Sequence, residues 1–328
     1  MQNLIRTLKT STRLVQKQYL AGLWRYFPLA PRIDGNDILL GDDAAAIKSG
    51  DGYLLLAAEG VYQPLLDSNP YLAGRTSVLT NVNDIYAMGG RPVALVDVLF
   101  SKNEENAGEV LRGIRDNAER YNVPVVGGHT TLDAESGSLS VFILGKAERL
   151  LSGFAARADD DIIFASDFGG KFYPAFNFWD SSSGLAADVL GRQLEILPRL
   201  AEEGLADAAK DVSMAGLIGS ALMMLESSKA GAEIYLDRIP APGGVPLKKW
   251  LLTFPSYGFL VSSRPGKSQH IKERFRGSGL VCETIGKVTS GSRVFFTDGA
   301  ERAIFWNFNE EPIIGVNPAN TTQVENGV

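Results

Sequence analysis

Residues 41–47 read GDDAAAI and directly follow a short apolar run at 37–40. Adjacent carboxylates repel each other, and they are seldom buried unless a cation or a set of hydrogen-bond donors meets them. Asp42 and Asp43 therefore either lie in water or hold a cation. Because a Gly-rich turn and a second apolar run at 53–58 follow, the segment is predicted to open a β-hairpin.

The two aspartates are not equivalent candidates for a metal ion. Neighbouring side chains of an extended strand point to opposite faces, so Asp42 and Asp43 reach one ion together only if Gly41 bends the chain. One of them is expected to be the stronger ligand, and the sequence leaves open which. A solvated strand end is the competing interpretation.

The composition is that of a globular protein. The chain has 328 residues, 45% hydrophobic and 21% charged, and this length suggests about two domains. A net charge of -6 gives no basic field, so a nucleic-acid partner is not expected. The single cysteine, Cys282, fits a reducing compartment and predicts a cytoplasmic location. No run reaches about 18 apolar residues, so no membrane partner is expected.

Hydrophobic periodicity predicts an α/β (α+β) chain with helices and strands in both halves. The expected units are a helical arm at 1–36, an N-terminal domain at 37–152, a C-terminal domain at 158–300 and a tail at 301–328. The last part of that tail, 317–328, lacks apolar periodicity and is expected to be disordered. Further helices are predicted at 73–90, 101–121, 184–210, 214–229 and 268–276. Further strands are predicted at 93–100, 123–126, 139–148, 161–166, 232–236, 257–262 and 282–288.

The predicted helix at 73–90 carries a polar stripe. Ser77, Asn81 and Asp84 recur at i, i+4 and i+7 and share one side of the helix. Asn and Asp are poor helix formers, so their presence favours a ligand face over a solvated face, which more often carries Glu and Lys.

Two further segments allow both a functional and a plain structural interpretation. Ser213 is predicted to cap the helix that follows, which would place Asp211 near a positive helix end, where a carboxylate can share Mg²⁺ with a phosphate. A simple capping role fits equally well. Gly127 and Gly128 would let backbone N–H groups approach a ligand, although such pairs are also common in turns.

Several common metal and nucleotide motifs are absent from the sequence. Two histidines, His129 and His270, cannot build a histidine-rich metal centre. No GxxxxGK[ST] or GxGxxG pattern occurs, and the GGK at 169–171 is followed by Phe172, where a P-loop needs Ser or Thr. A bound nucleotide would therefore be held by another scaffold.

Taken in order, six motifs resemble those of the aminoimidazole ribonucleotide (AIR) synthetase superfamily, which includes thiamine-monophosphate kinase and selenophosphate synthetase. The motifs are GDDAAAI, AGRTSVLTNVNDIYAMGGRP, VPVVGGHT, DDDIIFASDFGG, DVSMAGL and SYGFLV with ETIGKV. The resemblance implies two α/β domains, a homodimer whose N-terminal domains form a shared β-barrel, and ATP with Mg²⁺ between the domains.

The resemblance also implies roles for individual residues. The acidic magnesium and phosphate positions match Asp42 or Asp43, Asp84 and the second-domain Asp211. The nucleotide positions match Asn81, Gly127 and Gly128, with Asp84 and Asp211 beside them. Glu59 or His129 would lie on the substrate side, where His129 could transfer a proton.

Departures from the family patterns limit the choice of substrate. Where this chain has Glu59, thiamine-monophosphate kinase shows an Asp. Where this chain has GGHT at 127–130, the kinase has GGDT, so His129 replaces an Asp. In place of the SMAG at 213–216, the kinase has a Ser-Asp-Gly motif. Selenophosphate synthetase uses a reactive Cys near the N-terminus. The hydrogenase-maturation carbamoyl dehydratase, another member of the superfamily, ends in a Cys-bearing tail. Cys282 fits neither pattern.

The predicted function is therefore an ATP- and Mg²⁺-dependent enzyme, ligase-like or kinase-like, that activates an oxygen of a small metabolite. The alternatives are a thiamine-monophosphate-kinase-like phosphotransferase and a non-catalytic, nucleotide-binding homodimeric scaffold. The aromatic-rich loop at 167–183 is expected to pack in the core or at an interface, and could instead cover a planar ligand.

Overall fold

A computed structural model describes residues 1–24, 26, 27 and 30–316. The chain begins with two short helices, and a 3₁₀ turn at Tyr19–Gly22 follows them. The helices are α1 (Gln2–Lys9) and α2 (Thr12–Gln18). Their buried residues Ile5, Leu8 and Leu14 belong to the core of the C-terminal half, so the predicted helical arm is packed on the body of the protein.

The N-terminal domain is a five-stranded sheet with helices on one face. The strand order is β3-β4-β7-β5-β6, and only the β5–β6 pair is parallel. The elements are β1 (Arg32–Ile33), β2 (Asn36–Asp37), β3 (Ala45–Ser49), β4 (Gly52–Gly60), α3 (Gln63–Ser68), α4 (Pro70–Ala87), β5 (Arg91–Phe100), α5 (Glu104–Arg120), β6 (Val125–Thr131) and β7 (Ser138–Ala147). The hairpin predicted around GDDAAAI is confirmed as β3 and β4.

Helix α4 runs beneath this sheet and has clear start and stop signals. Asn69 caps its first turn by accepting a hydrogen bond from the backbone of Leu72 at 3.0 Å, with Pro70 at the first helical position. At the other end Gly89 adopts φ 75°, a left-handed conformation that suits glycine and ends a helix. The apolar stripe of α4 packs against β4, β7 and α5.

The other face of the N-terminal sheet is apolar and exposed. Leu56, Val96, Phe100 and Val126 leave 50%, 38%, 38% and 65% of their surface accessible. Within the described residues the sheet is open, with β3 and β6 at its edges, and no closed barrel forms. The predicted β-barrel is therefore not confirmed by the single chain.

The C-terminal domain is built on a seven-stranded sheet of order β11-β14-β8-β15-β12-β16-β17, with a small sheet β13-β10-β9 beside it. Its strands are β8 (Asp161–Ser166), β9 (Lys171–Phe172), β10 (Phe178–Asp180), β11 (Ala208–Asp211), β12 (Gly231–Tyr235), β13 (Phe254–Pro255), β14 (Gly258–Ser263), β15 (Val281–Thr289), β16 (Arg293–Thr297) and β17 (Arg302–Asn307). Its helices are α6 (Ala187–Leu194), α7 (Ile196–Glu202), α8 (Gly216–Ser227), α9 (Leu247–Leu251) and α10 (Pro265–Gly277), with a 3₁₀ turn at Leu236–Arg238. The mixed α/β architecture in two domains agrees with the prediction.

Two sequence predictions for this half are wrong. The long helix predicted at 184–210 divides into α6, α7 and strand β11, because Gly204 turns the chain with φ 62° and β11 pairs with β14. The predicted tail at 301–328 contains strand β17, because Phe305 and Trp306 are buried in the core. Residues 317–328, expected to be disordered, lie outside the described residues. No helix in the described ranges is long and apolar enough to cross a membrane.

Candidate functional site

A cavity of about 500 Å³ lies where the N-terminal arm, the N-terminal domain and the C-terminal domain meet. Its apolar wall includes aromatic side chains from both domains, among them Tyr62, Phe176, Phe178 and Phe254. Phe178 and Phe254 stack with their ring centroids 5.4 Å apart. Part of the aromatic loop at 167–183 therefore covers a cavity, and its other aromatic residues pack in the core.

Three carboxylates meet at one end of this cavity. Asp43 follows the bend at Gly41, where φ is 112°, Asp84 lies on α4, and Asp211 ends β11. One carboxylate oxygen from each lies within 4.8 Å of the others. Oxygen ligands at this spacing suit a divalent cation such as Mg²⁺.

A buried lysine balances part of this negative charge. The Lys210 ammonium forms an ion pair with Asp43, and the side chains are only 6% and 4% exposed. The backbone N–H of Asp211 also donates to Asp43 Oδ2 at 3.2 Å. Burial lowers the pKa of Lys210, but Asp43, Asp42 and Asp211 outweigh burial and raise that pKa above its ordinary value. Lys210 is therefore a fixed cation that balances part of the negative charge of the group.

The carboxylates of Asp84 and Asp211 have too little positive charge near them to balance their own negative charge. Burial, then the charge of Glu59, raises the pKa of Asp84 well above its usual range. Burial, then Asp43, raises the pKa of Asp211 to about 8. Asp84 Oδ2 is also buried without a hydrogen-bond partner. A buried acceptor without a partner is costly, and a divalent cation would satisfy it, so the three residues fit a metal ion.

Asp42 has a different environment from Asp43. Its Oδ2 accepts hydrogen bonds from Ser152 Oγ at 2.8 Å and from the Gly153 backbone at 2.9 Å. Its Oδ1 accepts from the backbone N–H of Asp43 at 3.0 Å. Burial, then Asp43, raises its pKa to about 6. Asp42 therefore holds the loop at 152–153 and is not part of the three-carboxylate group.

Two other predicted residues lie near the acidic end with different exposure. Glu59, at the end of β4, is exposed on the cavity wall, and partial desolvation of its carboxyl group raises the pKa of that group. Asn81 is buried on α4, where its Nδ2 donates to the Ser77 carbonyl at 2.8 Å. Its Oδ1 has no hydrogen-bond partner, and Asn81 is not among the described residues that line the cavity.

Gly127, Gly128 and His129 lie elsewhere, on the edge strand β6. His129 is exposed and shares a hydrogen bond with Thr131 Oγ1 at 3.1 Å. None of these three residues lines the cavity in the described part of the chain. Their predicted contact with nucleotide or substrate is therefore not made at this cavity by the described residues of one chain.

The predicted helix cap in the second domain is also different in the structure. Helix α8 begins at Gly216 with Ala215 as its N-cap, and the Ser213 side chain makes no capping bond. Instead, the Ser213 backbone donates to Ser220 Oγ at 3.0 Å. Ser213 Oγ is buried without a partner, and the residue lines the cavity, so its hydroxyl is placed to meet a ligand.

Three cations of this site were not predicted from the sequence. Lys210 was the last residue of the helix predicted at 184–210, and a lysine at a helix end is ordinarily solvated. Arg13 and Lys17 line the cavity from the arm. They stand at i and i+4 on either side of the buried Leu14, and this spacing was the available signal that both face one side of a packed helix.

Two family profiles match most of the chain. The profile "AIR synthase related protein, N-terminal domain" matches residues 41–147, and its C-terminal counterpart matches residues 169–299. Among curated relatives, the Synechocystis sp. protein sll0787 is 46% identical over 283 residues, which cover 86% of this chain and 88% of that protein. A selenide, water dikinase of Geobacter metallireducens is 31% identical over 225 residues, covering 65% of each chain.

Solved structures share the fold. T. maritima PurL in complex with ATP superposes with a TM-score of 0.71 at 19% identity, covering 96% of this chain and 55% of PurL. The chain thus spans about half the length of that protein. AaThiL, a thiamine monophosphate kinase from Aquifex aeolicus in complex with AMPPCP and TMP, superposes with a TM-score of 0.62 at 21% identity, covering 81% and 92% of the two chains.

Proposed function

Because the chain belongs to the AIR synthase related protein family, we propose that it is an ATP- and Mg²⁺-dependent enzyme. It would transfer or use the ATP γ-phosphate to activate an oxygen of a small metabolite. The observation that carries this proposal is the group of Asp43, Asp84 and Asp211, whose oxygens lie within 4.8 Å of one another in a cavity between two domains.

Each residue of the acidic end has a role in this proposal. Asp43, Asp84 and Asp211 would hold Mg²⁺, which bridges phosphate oxygens and offsets the charge that develops during phosphoryl transfer. Lys210, through its ion pair with Asp43, would fix the orientation of that carboxylate. Glu59, on the cavity wall beside the three ligands, would contact the acceptor.

The relatives of the chain support use of ATP. One relative is a selenide, water dikinase, and proteins of the same fold have been solved with ATP or with AMPPCP and TMP. These proteins are of kinase or ligase type, and they do not decide between these types for this chain. Positions 214 and 215 are Met and Ala, and this departure from the kinase pattern favours the wider class over a thiamine-monophosphate-kinase-like activity.

Calorimetric titration with ATP and Mg²⁺ tests the nucleotide site. The wild-type chain should bind Mg-ATP, EDTA should abolish this binding, and Asp84→Asn should weaken it by about a hundredfold, since a charged ligand is lost from a buried site. Asp133→Asn is the matched control, because Asp133 is exposed with φ 58°, a conformation that Asn also adopts. Equal affinity in wild type and Asp84→Asn would contradict the proposal.

A second experiment separates an enzyme from a non-catalytic scaffold. The altered Met214 and Ala215 positions are the observation that favours a scaffold. A metabolite library screened with ATP, and read by phosphorus NMR, should show formation of ADP together with a phosphorylated product or free phosphate. Binding of Mg-ATP without turnover across the library would support the scaffold.

We further propose that the protein is a homodimer formed through the exposed face of the N-terminal sheet. Leu56, Val96, Phe100 and Val126 make this face apolar, and exposed apolar patches of this kind mark interaction sites. Val126→Asp should convert a dimer into a monomer in light scattering. Ile304→Asp is the control, because Ile304 is 52% exposed on β17 of the other domain, and monomeric wild-type protein would refute the dimer.

We also propose a cytoplasmic location. The only cysteine of the sequence, Cys282, is a free thiol buried on β15, and burial raises its pKa to about 12. A chain that uses no disulfide suits a reducing compartment. Fractionation of cells that produce the tagged chain tests this location.

A further inference from the structure

We propose that Arg13 and Lys17 of the N-terminal arm bind an anionic group of the acceptor substrate, a phosphate or carboxylate joined to an apolar body. This inference rests on the proposed function in one respect, namely that the cavity is where the acceptor binds. The anion site itself is argued from the side chains that line the cavity.

The two cations face the cavity without a partner. Arg13 and Lys17 are one helical turn apart on α2 and both line the cavity. In the described part of the chain, neither forms an ion pair or a hydrogen bond. Burial lowers the pKa of Arg13, which shows that its guanidinium is desolvated more than it is compensated. Partly desolvated cations without a counter-ion favour an anionic ligand.

The acidic end of the cavity does not satisfy these cations. Lys17 is close enough to Glu59 and Asp211 to influence their pKa values, yet it makes no ion pair with either within 4.0 Å. The shared cavity therefore has an acidic end suited to a metal and a separate basic wall. A metal-bound nucleotide would occupy the acidic end, which leaves the basic wall for a different anion.

The arm holds the two cations in a fixed position. Leu14 is buried between them and packs in the core of the C-terminal domain. Gln18, the last residue of the helix, donates to Glu311 Oε1 at 3.1 Å, and beyond the helix the Trp24 indole donates to the Ile314 carbonyl. Since Leu14 and these two contacts hold α2 and the segment after it on the C-terminal domain, the basic wall is built before any ligand arrives.

The remaining walls indicate what the anion is attached to. Between the charged parts, the cavity is lined by apolar side chains that include Leu20, Leu65, Leu72, Phe176 and Phe178. A largely apolar pocket with a few charged groups binds a ligand by burying its apolar part and orienting its polar part. The expected ligand is therefore a small aryl or alkyl compound with one anionic group.

Calorimetry with three simple probes tests this inference in the full chain saturated with Mg-AMPPCP. Phenyl phosphate and benzoate carry the two candidate anions on one apolar ring, and phenol carries the ring alone. The variants are Arg13→Gln and Lys17→Gln, with Arg6→Gln as the matched control, because Arg6 is exposed on the same arm. Thermal unfolding of each variant shows that the arm remains folded.

The expected result is binding of phenyl phosphate or benzoate that is stronger than that of phenol. Each cavity variant should weaken this binding at least about tenfold, while Arg6→Gln leaves it unchanged and all variants bind Mg-AMPPCP as wild type does. Whichever probe shows this dependence identifies the anion as phosphate or carboxylate.

Three outcomes would overturn the inference: no binding of either anionic probe to wild type, equal binding in all variants, or weaker binding of Mg-AMPPCP in the cavity variants. The last would assign the two cations to the nucleotide. Failure of the proposed function has a different signature. If Mg-AMPPCP does not bind and phenyl phosphate still binds in an Arg13- and Lys17-dependent way, the ATP proposal fails and the anion site stands.

Discussion

The acidic end of the cavity and the basic wall carry charge in contrasting ways. The acidic end brings carboxylates from three separate elements around the buried Lys210, which is held by the ion pair with Asp43. The basic wall places Arg13 and Lys17 on one short helix, where neither has an ion-pair or hydrogen-bond partner among the described residues. Removing one partner of a buried, compensated charge is costly to the fold, whereas charge left without a partner is available to a ligand.

The largest effect is expected from removing the cation of the acidic end. Lys210→Met should destabilise the metal-free protein by about 3 kcal/mol, because loss of one partner leaves buried carboxylates without compensation. Urea unfolding of the metal-free protein measures this change. Lys17→Met on the basic wall should change stability by less than about 0.5 kcal/mol, because no ion pair is lost.

A double variant shows whether the loss of stability in Lys210→Met comes from the ion pair with Asp43. Asp43→Asn removes the partner that Lys210 contacts, so the two substitutions together should cost clearly less than the sum of the single costs. Additive effects would mean that Lys210 stabilises the fold by packing alone. The difference between compensated charge at the acidic end and uncompensated charge at the basic wall would then disappear.

The parts of the fold that could be predicted from sequence have strong local signals. Helix α4 has Asn69 and Pro70 at its start and Gly89 at its end, and the β3–β4 hairpin has a Gly-rich turn. Strand β11 could not be predicted, because it is defined by pairing with the distant β14, and a short apolar run before it reads equally well as helix.

The residues of the candidate site also divide into those with a local signal in the sequence and those whose role depends on distant partners. Asp43, Asp84 and Asp211 were identified because their motifs are local and resemble a known family. The sequence could not separate Asp43 from Asp42, since their difference comes from Ser152 and Gly153 more than a hundred residues later. Partners brought together only by the tertiary fold leave no pattern in one stretch of sequence.

The basic wall should depend on a buried clamp next to the arm. Glu226 accepts backbone hydrogen bonds from Ile313, Ile314 and Gly315 at 3.1, 2.7 and 3.2 Å, and Ile314 in turn accepts from Trp24 of the arm. Glu226→Gln should cost about 2 kcal/mol, because an amide replaces one acceptor oxygen with a donor.

Thermal unfolding and limited proteolysis of the arm measure the effect of this change. The control is Glu273→Gln, whose exposed carboxylate accepts, within the part of the chain that the structure describes, a single side-chain bond from Gln269 on the same helix. Unchanged protection of the arm in Glu226→Gln would show that the arm holds its position without the clamp.

Ligand binding at the acidic end and at the basic wall should also respond differently to pH. Asp211 has a pKa raised to about 8 by burial and then by Asp43, and burial raises the pKa of Asp84 as well. A raised pKa means that the proton is retained up to that pH, so Mg²⁺ must displace it. Mg²⁺ affinity should therefore rise by up to about tenfold per pH unit between pH 6 and 8 and level off above.

Calorimetry in two buffers of different ionisation enthalpy detects the released protons. Asp211→Asn should reduce the slope, and benzoate binding at the basic wall should stay constant over the same range, because a guanidinium remains charged. A Mg²⁺ affinity that does not change with pH would mean that Asp211 is already ionised before the metal binds.

The smallest effect on stability and Mg²⁺ affinity is expected from substituting Asp42, although this residue is adjacent to the proposed metal ligand Asp43. Asp42 Oδ2 accepts from Ser152 Oγ and the Gly153 backbone. Asn in the matching orientation retains an acceptor oxygen for these two bonds and loses only the bond that Oδ1 accepts from the Asp43 backbone N–H. Asp42→Asn should therefore cost about 1 kcal/mol or less of stability and leave Mg²⁺ affinity within about twofold. Asp43→Asn, compared by the same titration, should lose most of that affinity, because Asp43 supplies a ligand oxygen. Equal losses of Mg²⁺ affinity in the two variants would place both aspartates on the metal, and the distinction between the anchoring and the ligating carboxylate would be wrong.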